Sequence, residues 1–195
     1  MSGKGMRWFG LALPAMAVLL PLLVSEVSAR DFKGVSFADE SLIQGRTCRL
    51  NGVGVRKKFL FDIYYAGLYL PEPTQDPGKV PALDGPKRVL MHVVYKEVTA
   101  DKWVEGWKEG FAVTAPRPNA DLAARIEKFL ACFDQPVKSG ERVQITYVPN
   151  QGTEVMIKDK VKATIPGRDF MTALWSIWFG NKPASETLMN GMLGR

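Results

Sequence analysis

The run Phe59-Leu60-Phe61-Asp62-Ile63-Tyr64-Tyr65-Ala66-Gly67-Leu68-Tyr69-Leu70 constrains the fold more than any other feature of the chain. Its aromatic and branched residues fall on both alternating faces. That is the pattern of a central strand covered on both sides, since a half-solvated strand would alternate apolar with polar. Val35 and Phe37 predict a short strand before it, and residues 46–50 another that ends at the turn Asn51-Gly52. Residues 71–86 carry five prolines and two glycines and are expected to form a loop. The next strand is expected over residues 87–95.

Two helices should follow. Thr99 stands at a cap position with Asp101 in the first turn, and Trp103, Trp107 and Phe111 recur at four-residue spacing as an apolar stripe. Gly106 and Gly110 lie among them and would permit close backbone approach. Pro116-Arg117-Pro118 ends this helix. Asn119 caps the second, whose face is Leu122, Ile126, Phe129, Leu130 and Phe133. The period then becomes two: Val143, Ile145 and Tyr147, then Val155 and Ile157, then Val161, Ala163 and Ile165, divided by turns at 149–152 and 158–160. This predicts a three-stranded antiparallel meander. After Pro166-Gly167 an amphipathic helix carries Phe170, Ala173, Leu174, Ile177 and Trp178, stopped at Gly180, and a short helix closes over residues 185–193. The fold class is α+β, an antiparallel sheet with helices packed on one face.

Residues 1–29 read as a cleavable secretory signal. Lys4 and Arg7 give a positive start, Trp8 to Val24 is apolar throughout, and Val27-Ser28-Ala29 offers the small residues that a signal peptidase reads. An uncleaved anchor is the rival. It is disfavoured by Pro14 and Pro21 inside the stretch, and by a length short of the roughly 20 residues that a bilayer core requires. The expected product, residues 30–195, is one domain that is soluble and periplasmic or secreted. Without Lys4, Arg7 and Glu26, the chain's 26 basic and 20 acidic residues become 24 against 19. Such a mild, dispersed positive charge allows peripheral contact with an anionic membrane. It does not form the basic stripe with interleaved aromatics that nucleic acid requires.

Chemistry-bearing patterns are few. His92 is the single histidine, set inside a strand-like run, and Cys48 and Cys132 lie far apart. These do not compose a zinc site, and a Ser-His-Asp triad would have to be built on a strand histidine. The cysteines are expected to be small buried residues, with a disulfide as the alternative. Phosphate-loop, dinucleotide and CxxC patterns are absent from the sequence, so no cofactor and no metal are expected. Asp62, in an apolar strand, is either a base or, as preferred, an edge carboxylate paired with a lysine.

Several segments taken in order resemble one family. Leu50-Asn51-Gly52-Val53-Gly54-Val55-Arg56-Lys57-Lys58-Phe59 runs into Tyr65-Ala66-Gly67-Leu68-Tyr69-Leu70. Far downstream come Ile165-Pro166-Gly167-Arg168-Asp169-Phe170 and Ile177-Trp178-Phe179-Gly180-Asn181-Lys182-Pro183. Together they resemble the bacterial, exported branch of the chalcone isomerase-like proteins over most of residues 33–194. The resemblance implies an open-faced β-sandwich, a large antiparallel sheet with a helix layer on one face and a ligand cleft between them. In the plant enzymes of that family a phenolate attacks an enone within one molecule, a guanidinium stabilises the developing charge, and a tyrosine, an asparagine and threonines organise the hydroxyls. Carried over position by position, the arginine falls at Arg56, the tyrosine at Trp103 and the asparagine at Gly110. The strand threonine falls near Tyr64, and the polar residue of the late helix near Ile177. Of these only the arginine keeps its chemistry, because Gly and Ile neither donate nor accept through their side chains and Trp offers only its indole N–H.

The resemblance therefore implies the non-catalytic, fatty-acid-binding members as the better guide. The leading expectation is a binding protein for a fatty acid or a similar hydrophobic carboxylate, with the partner a small hydrophobic molecule, fatty-acid or flavonoid-like. Arg56 would be its anchor, with Tyr64, Trp103, Trp107, Phe111 and Ile177 around the tail. Two alternatives stand beside it. One is an isomerase, an intramolecular lyase of the chalcone isomerase type using Arg56; the other is an envelope interaction module with no small ligand, marked by a cleft filled by its own side chains. Residue by residue the plainer interpretations also stand: Arg56-Lys57-Lys58 as a solvated charge cluster, and the Trp103/Trp107/Phe111 stripe as core.

Overall fold

A computed structural model describes residues 28–195. Apart from Ser28 and Ala29, the expected leader lies outside the described residues. The elements run β1 (Ala29–Phe32), β2 (Val35–Ala38), β3 (Glu40–Ile43), β4 (Arg46–Lys58), β5 (Phe61–Leu70), α1 (Lys79–Ala82), β6 (Lys87–Val93) and β7 (Glu97–Val98). Then come α2 (Ala100–Thr114), α3 (Ala120–Leu130), β8 (Val137–Lys138), β9 (Arg142–Val148), β10 (Gly152–Ile157), β11 (Lys160–Ile165), α4 (Arg168–Phe179) and α5 (Glu186–Met192). Seven strands form one antiparallel sheet in the order β11-β10-β9-β6-β5-β4-β3, while β1 pairs with β2 and β7 with β8.

As the sequence run predicts, β5 lies inside the sheet and is covered on both faces. Tyr64, Ala66, Leu68 and Leu70 point into the larger core with the stripes of α2, α3 and α4. Tyr65 and Tyr69 point the other way, into a smaller core closed by Phe32, Val35 and Phe37 of the β1–β2 hairpin. Gly67 permits this second cover, because the Phe37 ring occupies the place where a Cβ would stand. Burying each large side chain fully is worth about 1.5–3 kcal/mol, so the two cores together hold the sheet.

Two sequence expectations at β4 are overturned. The strand does not end at Asn51-Gly52 but continues to Lys58, with a register shift between Leu50 and Gly52. The reason is tertiary. The Asn51 side chain donates to the Met192 and Thr74 carbonyls and accepts from the Thr74 amide, so its polar groups serve neighbours instead of a turn. Gly52 and Gly54 leave a bare strip of backbone on which α5 rests, where a Cβ at either position would overlap the carbonyls of Gly191 or Leu188. The real turn lies at Phe59-Leu60, which the sequence places inside the strand. Lys58 pairs across it with Phe61, and Phe59 takes a left-handed φ of 55°.

Strands β1, β3, β7 and β8 are not expected from the sequence, and the other elements follow expectation with small differences. A single helical turn, α1, interrupts the proline-rich loop. Asn119 and Ser185 accept from the amides of Leu122 and Leu188 as N-caps, whereas Thr99 stands at its cap position without such a bond. Gly110 is closely approached, by the Ile177 side chain, but nothing lies within 4 Å of a Cβ on Gly106. Cys48 and Cys132 are free and buried in different cores.

Candidate functional site

The helix-facing row of β4 reads Gly52, Gly54, Arg56. Because α5 covers the two glycines, Arg56 is the first side chain on that row free to extend, and it emerges beside the loop that leads into α5. There its guanidinium donates to the Ala184 carbonyl at 2.6 Å. The side chain is half-buried. A guanidinium has five N–H groups, so most of its donors are not used by this bond.

Across the hairpin Arg56 pairs in register with Tyr64. Tyr64 is buried, and its ring lies over that of Trp103 with centroids 5.8 Å apart and planes 18° apart. Burial pushes its phenol upward from the ordinary value, opposed by the Arg56 guanidinium and a hydrogen bond from Trp178. Trp103 stacks on Trp107 at 6.2 Å, and Trp107 meets Trp178 edge-on at 5.5 Å. Arg56, Tyr64, Trp103 and Trp107 thus make a continuous line from the rim into the interior. Phe111, one turn further along α2, packs on Phe129 and Phe170 at the inner end. Ile177 joins from α4 through its contact with Gly110. The six residues singled out in the sequence share one region between sheet and helices, and the five apolar or aromatic ones fill it by packing on one another and on their neighbours.

Two polar atoms in this cluster stand out. The indole nitrogens of Trp103 and Trp107 are buried, and neither has an acceptor among the described residues. A buried donor left without a partner costs about 1–3 kcal/mol. Two in adjacent stacked rings, behind a half-buried guanidinium, make the region rich in donors and poor in acceptors. An anionic or strongly accepting group suits that balance.

The other chemistry-bearing residues lie elsewhere. Burial acts to raise the Asp62 carboxyl, but hydrogen bonds from Lys33, Lys57 and Tyr65 outweigh it and hold it below its ordinary value. With Lys33 at 3.1 Å and Lys57 at 3.3 Å, it is a paired carboxylate. His92 pairs with Tyr65 and packs on Phe37 at 4.8 Å, which places it on the opposite face of the sheet from Arg56. A groove of about 690 Å³ runs along the outside of the helix layer between Thr114, Arg117, Leu122 and Ser176, and none of the six residues lines it.

Sequence reasoning missed three contributors. Trp178 and Phe133 were visible only as helix-face positions, although Phe133 packs on Trp103 at 5.4 Å and on Trp107 at 5.6 Å, and the Ala184 carbonyl has no side-chain signal. The Asn181-Lys182-Pro183 segment just before Ala184 was the available hint.

Comparison with known proteins agrees with this architecture. The family model for chalcone isomerase-like proteins matches residues 29–194. No curated protein matches the chain. Among solved structures, a fatty-acid binding protein of Arabidopsis thaliana superposes with a TM-score of 0.63 at 14% identity, covering 85% of this chain and 96% of its own. At that identity the likeness is one of fold: a curled seven-stranded antiparallel sheet with helices.

Proposed function

Because the chain belongs to the chalcone isomerase-like family, we propose that it is a binding protein for a long-chain carboxylate, a fatty acid or a close analogue, held by Arg56. The observation that carries this reading is the pair of buried indole N–H groups without acceptors behind a guanidinium with spare donors. The fatty-acid binding protein of the same fold adds support, as a precedent for such a ligand on this architecture. The carboxylate would lie against Arg56 at the rim while the tail parts the Tyr64–Trp103 stack. Binding therefore moves tryptophan rings and is visible in intrinsic fluorescence.

Native mass spectrometry with added oleate tests the proposal, with methyl oleate as the neutral control. Oleate should bind and methyl oleate much more weakly. Arg56→Ala should weaken oleate binding about 10- to 100-fold, the range for one charge-assisted hydrogen-bonded contact. Equal affinity for acid and ester would remove the anchor from the account. No uptake of either would favour an interaction module whose interior is filled by its own side chains. We also propose that the protein acts outside the cytoplasm, on the support of the charged start, apolar stretch and small residues of its first 29 positions. The same spectrum, taken on protein from cells, reads the first residue: a mass beginning near Arg30 supports export, and one beginning at Met1 counts against it.

A further inference from the structure

The β4–β5 turn presents the two most exposed large apolar residues of the described chain, with a third beside them. Phe59 is 88% exposed, Leu60 93% and Phe61 58%. Phe61 meets Tyr95 edge-on at 5.6 Å, so a second aromatic, itself partly exposed, lies at the base of the tip. Contiguous exposed residues of this size mark contact surfaces, whereas Leu42, Val113 and Val161 are exposed singly. Phe59 is also poorly suited to its own backbone. Two-residue hairpin turns with positive φ favour Gly, Asn or Asp, and an aromatic there is strained. A strained residue that packs against almost nothing is not explained by folding, and such strain collects at functional positions.

Positive charge exceeds negative around the tip, where Asp62 is paired with two lysines and Glu105 of α2 lies within reach of the Lys58 charge. Lys57 and Lys58 immediately precede Phe59, and Lys57 shares the single carboxylate of Asp62 with Lys33. Lys96 follows Tyr95, while Lys160 begins β11 at the same end but on the far edge of the sheet, four strands from β5. Lys58 and Lys96 form no ion pair among the described residues. An apolar and aromatic tip with a lysine collar is complementary to the interfacial region of a bilayer that carries anionic headgroups. Among the described residues no helix is long and apolar enough to cross a membrane.

We propose that the β4–β5 turn docks this domain on an anionic bilayer, with Phe59 and Leu60 entering the interface and the lysines on the headgroups. Docking stands on the tip alone and does not depend on the ligand of Arg56. It does orient that residue. Arg56 lies three positions behind Phe59 on an extended strand, or about 10 Å, so the rim of the candidate site faces the bilayer surface.

The test uses the protein as cells process it, with an environment-sensitive fluorophore on Leu60→Cys, and a control label on Gln151→Cys at the opposite end of the sheet. Both native cysteines are buried, so the introduced thiol takes the label. With 3:1 phosphatidylcholine–phosphatidylglycerol vesicles, the emission at position 60 should rise severalfold and shift to the blue, while position 151 stays unchanged. The response should weaken in 0.5 M salt. Phe59→Gly suits the turn better than the native residue, so a drop of at least fivefold in vesicle affinity with an intact fold would assign the loss to the tip. Three results would overturn the proposal: no response at 60, an equal response at 151, or a blue-shifted emission at 60 without vesicles that reverses on dilution. The last would assign the tip to a second copy of the chain.

Discussion

Phe59 and Lys87 show how far single residues here depart from their ordinary settings. A left-handed φ costs a non-glycine residue about 1–2 kcal/mol, and glycine returns about 0.5–1 kcal/mol of that as extra freedom in the unfolded chain. Phe59→Gly should therefore stabilise the domain by about 0.5–1 kcal/mol in urea unfolding, and a clear loss would show that the ring does structural work. Lys87 is wholly buried, its ammonium donating to the carbonyls of Val80 at 2.8 Å and Leu83 at 2.6 Å and lying 5.2 Å from the Trp175 ring centre. Burial lowers it from 10.5 to about 7, with Asp84 opposing. Between those values the unfolded chain holds a proton that the folded one has released, so this residue makes stability rise with pH from about 7 to about 10. The gap in stability between the native protein and Lys87→Met should thus widen in favour of the native protein from pH 7 to pH 9. A gap that is flat with pH would mean the ammonium stays charged in the fold.

Two glycines of similar appearance in sequence belong to different situations in their elements. Gly54 lies under the backbone of α5, while Gly106 faces open space in the middle of α2. Gly54→Ala should cost about 1–3 kcal/mol or release α5, the range for forced overpacking. Gly106→Ala should gain up to about 1 kcal/mol from helix propensity. Thermal unfolding of the two variants checks both signs, and a Gly54→Ala variant as stable as the native protein would contradict the seating of α5. The contrast also explains what the sequence could reveal. The meander, the amphipathic helices and β5 are legible because local periodicity and burial agree there. β4 was not, because Asn51-Gly52 is a strong local turn signal that α5, distant in sequence, overrides. The site divides in the same way. Trp103, Trp107 and Phe111 follow from four-residue spacing, but the pairing of Arg56 with Tyr64 depends on a turn at Phe59-Leu60. Nothing in that dipeptide announces a turn.

At the scale of the whole molecule, the sheet separates two cores, and each holds one thiol: Cys48 in the smaller and Cys132 in the larger. Burial pushes both thiols upward from their ordinary value, which further reduces the reactive thiolate. Neither should react with a thiol reagent in the native state, and both should appear together along a urea titration if the cores unfold as one. Separate transitions would show that the β1–β2 cover melts independently of the helix layer. The docking of α5 on β4 carries a further consequence, for synthesis. Asn51 donates to the carbonyl of Met192 across a sequence separation of 141. At about 5–20 residues per second, the strand that carries Arg56 waits roughly 7–30 seconds on the ribosome before its covering helix exists. During that interval its bare glycine strip is an uncapped surface, so the strand stays open to other apolar contacts, a chaperone among them, until α5 is made.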